Sequence, residues 1–300
     1  MRVLVIGASG FLGTSVVAAL AGAGVEVRGM VRSPAAAGTV RRSGGRDVTG
    51  DVLDLPSIVS ASTECDAIVH LATEGDLGRA ERVRVEGARN VVLAARANGV
   101  RRILIGSGYW VYASQPGPID ERSPVEPRGE SKINYEAERV GLEASALDEL
   151  DVLVARPGMV YGDGAWFRPM VEEIRAGRYR VIGDGRNQWS FVSWRDCGTA
   201  FVEILRRGTS GEVYNVVDGH PAPWGEFTSF VADQVGAPRP PKITFQDGRI
   251  EHGPDVAHHL VANRALGCAK LSSLGWHPRD REYRTALPAL LATMDPPRSE

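Results

Sequence analysis

A doubly wound, parallel α/β sheet with a smaller C-terminal lobe is the fold that the sequence predicts, on three observations. Short β-branched runs alternate with longer helical patterns through the first half, the pattern left by parallel strands joined by crossover helices. A glycine-rich turn falls directly between the first strand and the first helix. After Tyr161 the alternation loosens into short aromatic-rich segments and turns such as Gly183-Asp184-Gly185, which marks a separate lobe.

Residues 3–6 read as a buried strand, 11–23 as a helix and 25–30 as the second strand. Strands at 66–71, 102–105 and 152–156 follow, and the longest helices between them are expected at about 79–98 and 128–150. Prolines at 221–223 and 238–241 place loops there. The expected division is a sheet domain over 1–162, rejoined by the chain near 194–217, with the lobe formed by 163–193 and 218–300.

The chain has 300 residues, of which 43% are apolar, enough for a sizeable core. A formal charge of −2 argues against nucleic acid or an anionic membrane as the main partner. No run approaches the roughly 20 apolar residues of a transmembrane helix, and the apolar run at 3–6 is too short for a signal peptide. Three scattered cysteines (Cys65, Cys197, Cys268) suggest a reducing, cytoplasmic setting and no metal site.

The glycine turn reads Gly7-Ala8-Ser9-Gly10-Phe11-Leu12-Gly13. Its glycines permit a tight turn, close approach of backbone to a pyrophosphate and close helix–strand packing, while the helix N-terminus faces the phosphates. This is the Rossmann-type signature of dinucleotide binding. The end of the second strand then selects the cofactor. A carboxylate about 20 residues beyond the glycines would meet a ribose 2′-OH, but the segment reads Gly29-Met30-Val31-Arg32. Arg32 suits a 2′-phosphate instead, so NADPH/NADP is the expected cofactor.

With these motifs in place, the sequence resembles the extended short-chain dehydrogenase/reductase family over nearly its whole length. Gly50-Asp51-Val52-Leu53-Asp54 is similar to the family's adenine-contacting segment, and Val69-His70-Leu71-Ala72 to the strand end along the cofactor. Arg156-Pro157-Gly158-Met159-Val160-Tyr161-Gly162 is similar to the segment passing the nicotinamide. Phe191-Val192-Ser193-Trp194-Arg195-Asp196, Tyr214-Asn215-Val216 and Leu274-Gly275-Trp276-His277-Pro278 match the lobe pattern. The resemblance therefore implies cofactor contacts from Gly7, Ser9, Gly10, Phe11, Leu12, Gly13, Asp51, Val52, Leu71, Ala72, Pro157, Gly158 and Met159.

The resemblance also implies a Ser or Thr plus a Tyr-x-x-x-Lys pair as the catalytic groups, the lysine holding ribose and lowering the tyrosine pKa. The matching stretch here is Arg128-Gly129-Glu130-Ser131-Lys132. Lys132 is retained, with Arg128 in the tyrosine position. An arginine acid would have to lose about five pKa units, roughly 7 kcal/mol, so Arg128 is expected only to stabilise developing negative charge. The strand-end segment Gly106-Ser107-Gly108-Tyr109-Trp110-Val111-Tyr112 puts Gly108 at the usual hydroxyl position. Ser107 and Tyr109 are the nearest substitutes, although strict strand alternation would turn both away.

Trp110, Tyr161, Trp166, Phe167 and Trp189 are the expected substrate-binding residues, and aromatic walls suit a large flat ligand. His70 reads as a packed strand-end residue, and His252, His258 and His259 lack a metal-binding pattern. The leading expectation is an NADPH-dependent ketoreductase acting on an aromatic or polyketide-like ketone, whose own hydroxyl supplies the proton. The tyrosine-lacking reductases of antibiotic biosynthesis are the nearest group. The alternatives are a non-catalytic NADP(H) redox sensor and a sugar-nucleotide epimerase or dehydratase. The chain is expected to act as a monomer or homodimer.

Overall fold

The computed structural model describes residues 1–147 and 150–294. Residues 148 and 149, inside the span read as a long helix, and 295–300, inside the expected lobe, lie outside the described residues.

Seven parallel strands form one sheet: β1 (Arg2–Ile6), β2 (Glu26–Val31), β3 (Arg46–Thr49), β4 (Ala67–His70), β5 (Arg102–Gly106), β6 (Asp151–Pro157) and β7 (Val213–Val216). Their order is β7-β6-β5-β4-β1-β2-β3, so the chain reverses direction across the sheet at β1. The inner strands β1, β4, β5 and β6 are buried on both faces, which is why they read as continuous Val/Ile/Leu runs, whereas the edge strand β3 (RDVT) is half-exposed and is not among the strands expected. One core lies between the sheet and the Phe11–Gly22 and Trp194–Arg207 helices, and it includes Val5, Val69, Leu104, Phe201, Leu271 and Trp276. The opposite face buries Leu4, Ile68, Ile103 and Val152 against the Leu55–Ala61, Gly87–Asn98 and Glu130–Ala146 helices. Among the described residues no helix is long and apolar enough to cross a membrane.

The lobe has a core of its own around Phe167, Trp189, Phe191, Trp224, Phe227 and Tyr283. Trp189 stacks on Trp224 at 3.8 Å between ring centroids, and Phe191 on Phe227 at 4.3 Å. Two short parallel pairings fasten the lobe to the sheet domain, Phe191–Ser193 with Met159–Tyr161 and Ala265–Leu266 with Pro118–Ile119.

The expected helix over 79–98 is divided. A short helix, Leu77–Glu81, runs into one π-turn, Arg82–Glu86, before the Gly87–Asn98 helix begins. A π-turn adds a residue without ending the helix and is often found at functional sites. Here it lets Val83 and Val85 both be buried, which a regular helix would place on different faces.

Candidate active site

The turn after β1 is a cradle that side chains would fill. Gly7 has φ +83°, and a Cβ on it would stand 2.6 Å from the Ala72 backbone nitrogen. A Cβ on Gly13 would stand 2.0 Å from the Gly7 carbonyl oxygen. Gly10 caps the Phe11–Gly22 helix with no side-chain hydrogen bond, so the first-turn N–H groups keep their positive end for a ligand. A cavity of about 360 Å³ opens beside the cradle, lined by Gly7, Ser9, Gly10, Arg32, Asp51, Val52, Leu71 and Ala72. Arg32 lies at its mouth next to Ser33, and its Nη2 donates to Glu74 Oε1 at 2.6 Å.

A second cleft, also about 360 Å³, continues past Phe11 and Leu12 to Pro157, Gly158 and Met159. β5 ends at Gly106, and a single 3-10 turn, Tyr109–Val111, follows it. That turn breaks strand alternation, so Ser107, Gly108, Tyr109 and Trp110 all line the cleft. Burial pushes the Tyr109 phenol well above its usual pKa, although the charge of Arg264 works the other way.

Lys132 and Arg128 are not brought to this cleft. Lys132 is exposed, and Arg128 pairs with Glu126 at the surface. The Glu130–Ala146 helix explains why. Lys132 falls on the same face as Arg139, which forms an exposed i,i+4 pair with Glu143. The face turned inward carries Ala137, Gly141 and Ala144. One heptad back from Ala137 and Gly141 stand Glu130 and Asn134, and these two line the cleft. The i,i+4 spacing anticipated for the catalytic pair is therefore present two residues further along, carrying a carboxylate and an amide.

Four buried polar atoms without a hydrogen-bond partner belong to residues of this one cleft: Arg84 Nε, Ser107 Oγ, Trp110 Nε1 and Asn134 Oδ1. Each such atom costs about 1–3 kcal/mol when left unsatisfied, so their concentration makes this cleft the candidate site. Arg84 escaped the sequence reading. Its signal was the stripe Arg84, Ala88, Val91 and Ala95, which sets an arginine on a buried helix face.

The aromatic candidates divide. Trp110 and Trp166 line the cleft, with Trp166 Nε1 donating to the Val160 carbonyl at 2.7 Å. Phe167 and Trp189 are buried in the lobe core, because that small core needs their volume. Tyr161 faces a neighbouring cavity of about 610 Å³, together with Asp163, Arg195 and Asp280. That cavity is larger but carries a single orphan of this kind, the Tyr161 hydroxyl, so size does not locate the chemistry. His70 is buried beneath the π-turn with its pKa pushed down to about 4 by desolvation, and Nε2 lies 3.3 Å from the Arg84 carbonyl. His259 stacks on Trp110 at 4.6 Å and is held neutral the same way, at about 4.

This fold is that of the extended short-chain dehydrogenase/reductases, and the chain belongs to the NAD dependent epimerase/dehydratase family, whose model matches residues 3–217. It is 30% identical to the 3-diazoavenalumate denitrifying reductase of a Streptomyces species, over 96% of this chain and 99% of that one. It is 29% identical to the 4-hydroxy-2-methyl-3-oxo-4-farnesyl-3,4-dihydroquinoline-1-oxide ketoreductase of Stigmatella aurantiaca, over 79% of this chain and 74% of that one. Among solved structures, a double mutant of the dTDP-glucose 4,6-dehydratase DesIV from Streptomyces venezuelae, with NAD and DAU bound, superposes with a TM-score of 0.83 at 24% identity, covering 97% and 96% of the two chains. Human epimerase family protein SDR39U1 (isoform2) with NADPH gives 0.82 at 21% identity, covering 98% and 100%.

Proposed function

We propose that this protein is an NADPH-dependent reductase that delivers hydride to a ketone on a large aromatic substrate, with the substrate's own hydroxyl supplying the proton. The observation that carries this reading is the cleft itself. It has the orphaned polar atoms of a ligand site, yet the helix residues that line it include Glu130 and Asn134, while Arg128 and Lys132, which match the family's catalytic pair in sequence, lie outside it. The cleft's one phenol, Tyr109, is pushed by burial toward a weaker acid.

The cradle fits a dinucleotide. The backbone from Gly7 to Gly13 would hold the pyrophosphate, Asp51 and Val52 would border the adenine, and Pro157–Met159 would border the nicotinamide end. Bound there, the reduced cofactor supplies hydride to an electrophilic carbon. Arg32 and Ser33 then choose the phosphorylated form. Replacing Arg32 with Ala is expected to weaken NADPH about 10–100-fold, the usual worth of one charge-assisted contact, with NADH affinity within threefold. Fluorescence titration of both cofactors checks this, and equal losses for the two would remove the 2′-phosphate assignment.

On the substrate side, Trp110 and Trp166 wall the cleft for a flat ring system. The carbonyl oxygen gains the electron pair of the C=O bond as hydride arrives at carbon. It then takes its proton from an adjacent substrate hydroxyl, which water replenishes. NADPH consumption against aromatic ketones with and without an ortho hydroxyl tests this, turnover being expected only with the hydroxylated set. The Ser107→Ala/Tyr109→Phe double variant is expected to keep the rate within about tenfold, since a full general acid contributes about 10²–10⁴. A fall to background would return the proton source to the protein.

A second reading has support from the relative named for denitrifying a diazo compound. An aryl diazonium that accepts hydride releases N₂ and leaves an arene, so no oxygen needs a proton and no acid is required. Adding an aryl diazonium salt to the same panel separates the two readings.

A further inference from the structure

The donors of the cleft point to the charge of what it binds. Arg84 lies in the π-turn, and its Nη1 donates to the Gly106 carbonyl at 2.6 Å where β5 ends. Its Nε is buried without an acceptor, and among the described residues no carboxylate forms an ion pair with it. Glu130 and Glu138 act on it only through their charge. Neighbours enclose the guanidinium on most sides, although the residue keeps some accessible surface, which its place in the cleft wall explains. The carboxylates of Glu130 and Glu138 offset its charge from a distance, but an enclosed cation with no acceptor in contact at Nε is expensive unless a ligand brings one.

Around it the orphan atoms are mostly donors. Trp110 Nε1 can only donate and has the Tyr109 hydroxyl close by without a well-formed bond to it, Ser107 Oγ can donate or accept, and Asn134 Oδ1 is the single obligate acceptor. One fixed positive charge and the donors that line the same cleft suit an oxygen that is anionic or becomes so, against the one carboxylate of that lining, Glu130. A neutral, donor-rich group would leave most of these atoms unpaired.

We infer that Arg84 is the anion-binding group of the cleft, and that the substrate class is an aromatic compound carrying an oxyanion, such as a carboxylate, an ionised phenol or an enolised ketone, seated between Trp110 and Trp166. The inference rests on the cleft being the substrate site of the proposed reductase, but not on which bond is reduced. It gives Arg84 direct contact with the ligand, ahead of the hydroxyls of Ser107 and Tyr109.

The test compares two probes of nearly equal shape, salicylate and its neutral amide salicylamide, binding to the NADP-saturated protein by calorimetry. Salicylate is expected to bind at least about tenfold tighter, as a charge-assisted contact in an enclosed site requires. In Arg84→Met that ratio should fall to about one, while Arg84→Lys should keep most of it. NADPH affinity, read separately by fluorescence, should stay within about threefold in both variants. Equal binding of the two probes by the unaltered protein overturns the inference without any variant, so a misfolded Arg84→Met does not protect it. A preference that survives in Arg84→Met also overturns it, as does an NADPH affinity lost more than tenfold, which would make Arg84 a cofactor ligand. These are binding readouts. If no ketone is turned over but the preference holds, the proposed reaction fails and the anion site stands.

Discussion

Gly13→Ala is expected to weaken NADPH binding by at least about 100-fold and to lower stability by about 1–3 kcal/mol, the usual cost of forcing a methyl group into a filled space. The added Cβ would stand 2.0 Å from the Gly7 carbonyl oxygen and 2.9 Å from the Ala8 backbone. None of these is a side-chain end that can swing aside. The Gly7 oxygen also accepts the Gly10 N–H at 3.1 Å, so moving it opens the turn that forms the cradle. Retreat of the helix is no easier, because Trp194 Nε1 donates to the Phe11 carbonyl at 2.7 Å and ties its first turn to the Trp194–Arg207 helix. Gly22, the last residue of the same helix, is the control, because a Cβ there meets nothing within 4 Å. Gly22→Ala should leave binding unchanged and add up to about 1 kcal/mol, the helix preference of alanine over glycine. Urea midpoints and cofactor titration of the two variants decide the matter, and Gly13→Ala binding within threefold of the unaltered protein would sink the account.

The cradle was legible in the sequence because its function depends on backbone approach, and only glycine permits that approach. The sheet was legible for a similar reason. Strands buried on both faces carry their own continuous signal, so those read from sequence agree with the observed ones to within about a residue at each end, while the half-exposed edge strand β3 was missed. The catalytic helix was harder. Matching a lysine to a motif placed Arg128 and Lys132 in the cleft, whereas the stripe Asn134, Ala137, Gly141, Ala144 would have set Asn134 there with Glu130, at the exposed first turn, beside it. Helix periodicity was the better guide there, since burial fixes which face turns in and a single retained lysine does not. The π-turn has no mark of its own in the residues 82–86 (RVRVE), because it follows from packing against neighbouring helices, chiefly Glu130–Ala146, that are distant in sequence. Nor does composition tell an aromatic wall from an aromatic core. Trp166 and Phe167 are adjacent in sequence, yet one borders the cleft and the other is enclosed.

The inward register of that helix is held by a buried ion pair, and breaking it should cost more than any other single change away from the cradle. Glu138 accepts from Arg156 Nε at 2.9 Å and Nη2 at 2.6 Å, and both side chains are almost fully buried. Burial disfavours the Arg156 charge, but the hydrogen bonds and charge of Glu138 outweigh it and hold its pKa above the ordinary value. The guanidinium also lies over the Tyr112 ring at 4.8 Å, and the Tyr112 hydroxyl donates to Asn215 Oδ1 at 2.7 Å. The pair thus joins the helix to β6 and, through Tyr112, to β7. Glu138→Leu leaves a cation in the core and is expected to lose about 3–5 kcal/mol. Arg156→Met leaves the buried Glu138 carboxylate without its partner instead, and is expected to lose a comparable amount. The Glu138→Leu/Arg156→Met double variant removes both charges and should recover most of the loss, because a buried pair is often replaceable by apolar groups. Urea unfolding of all four proteins at pH 5 and pH 8 measures the coupling. Additive losses in the double variant would mean that the two residues act separately, and that something else sets which face of the helix meets the cleft.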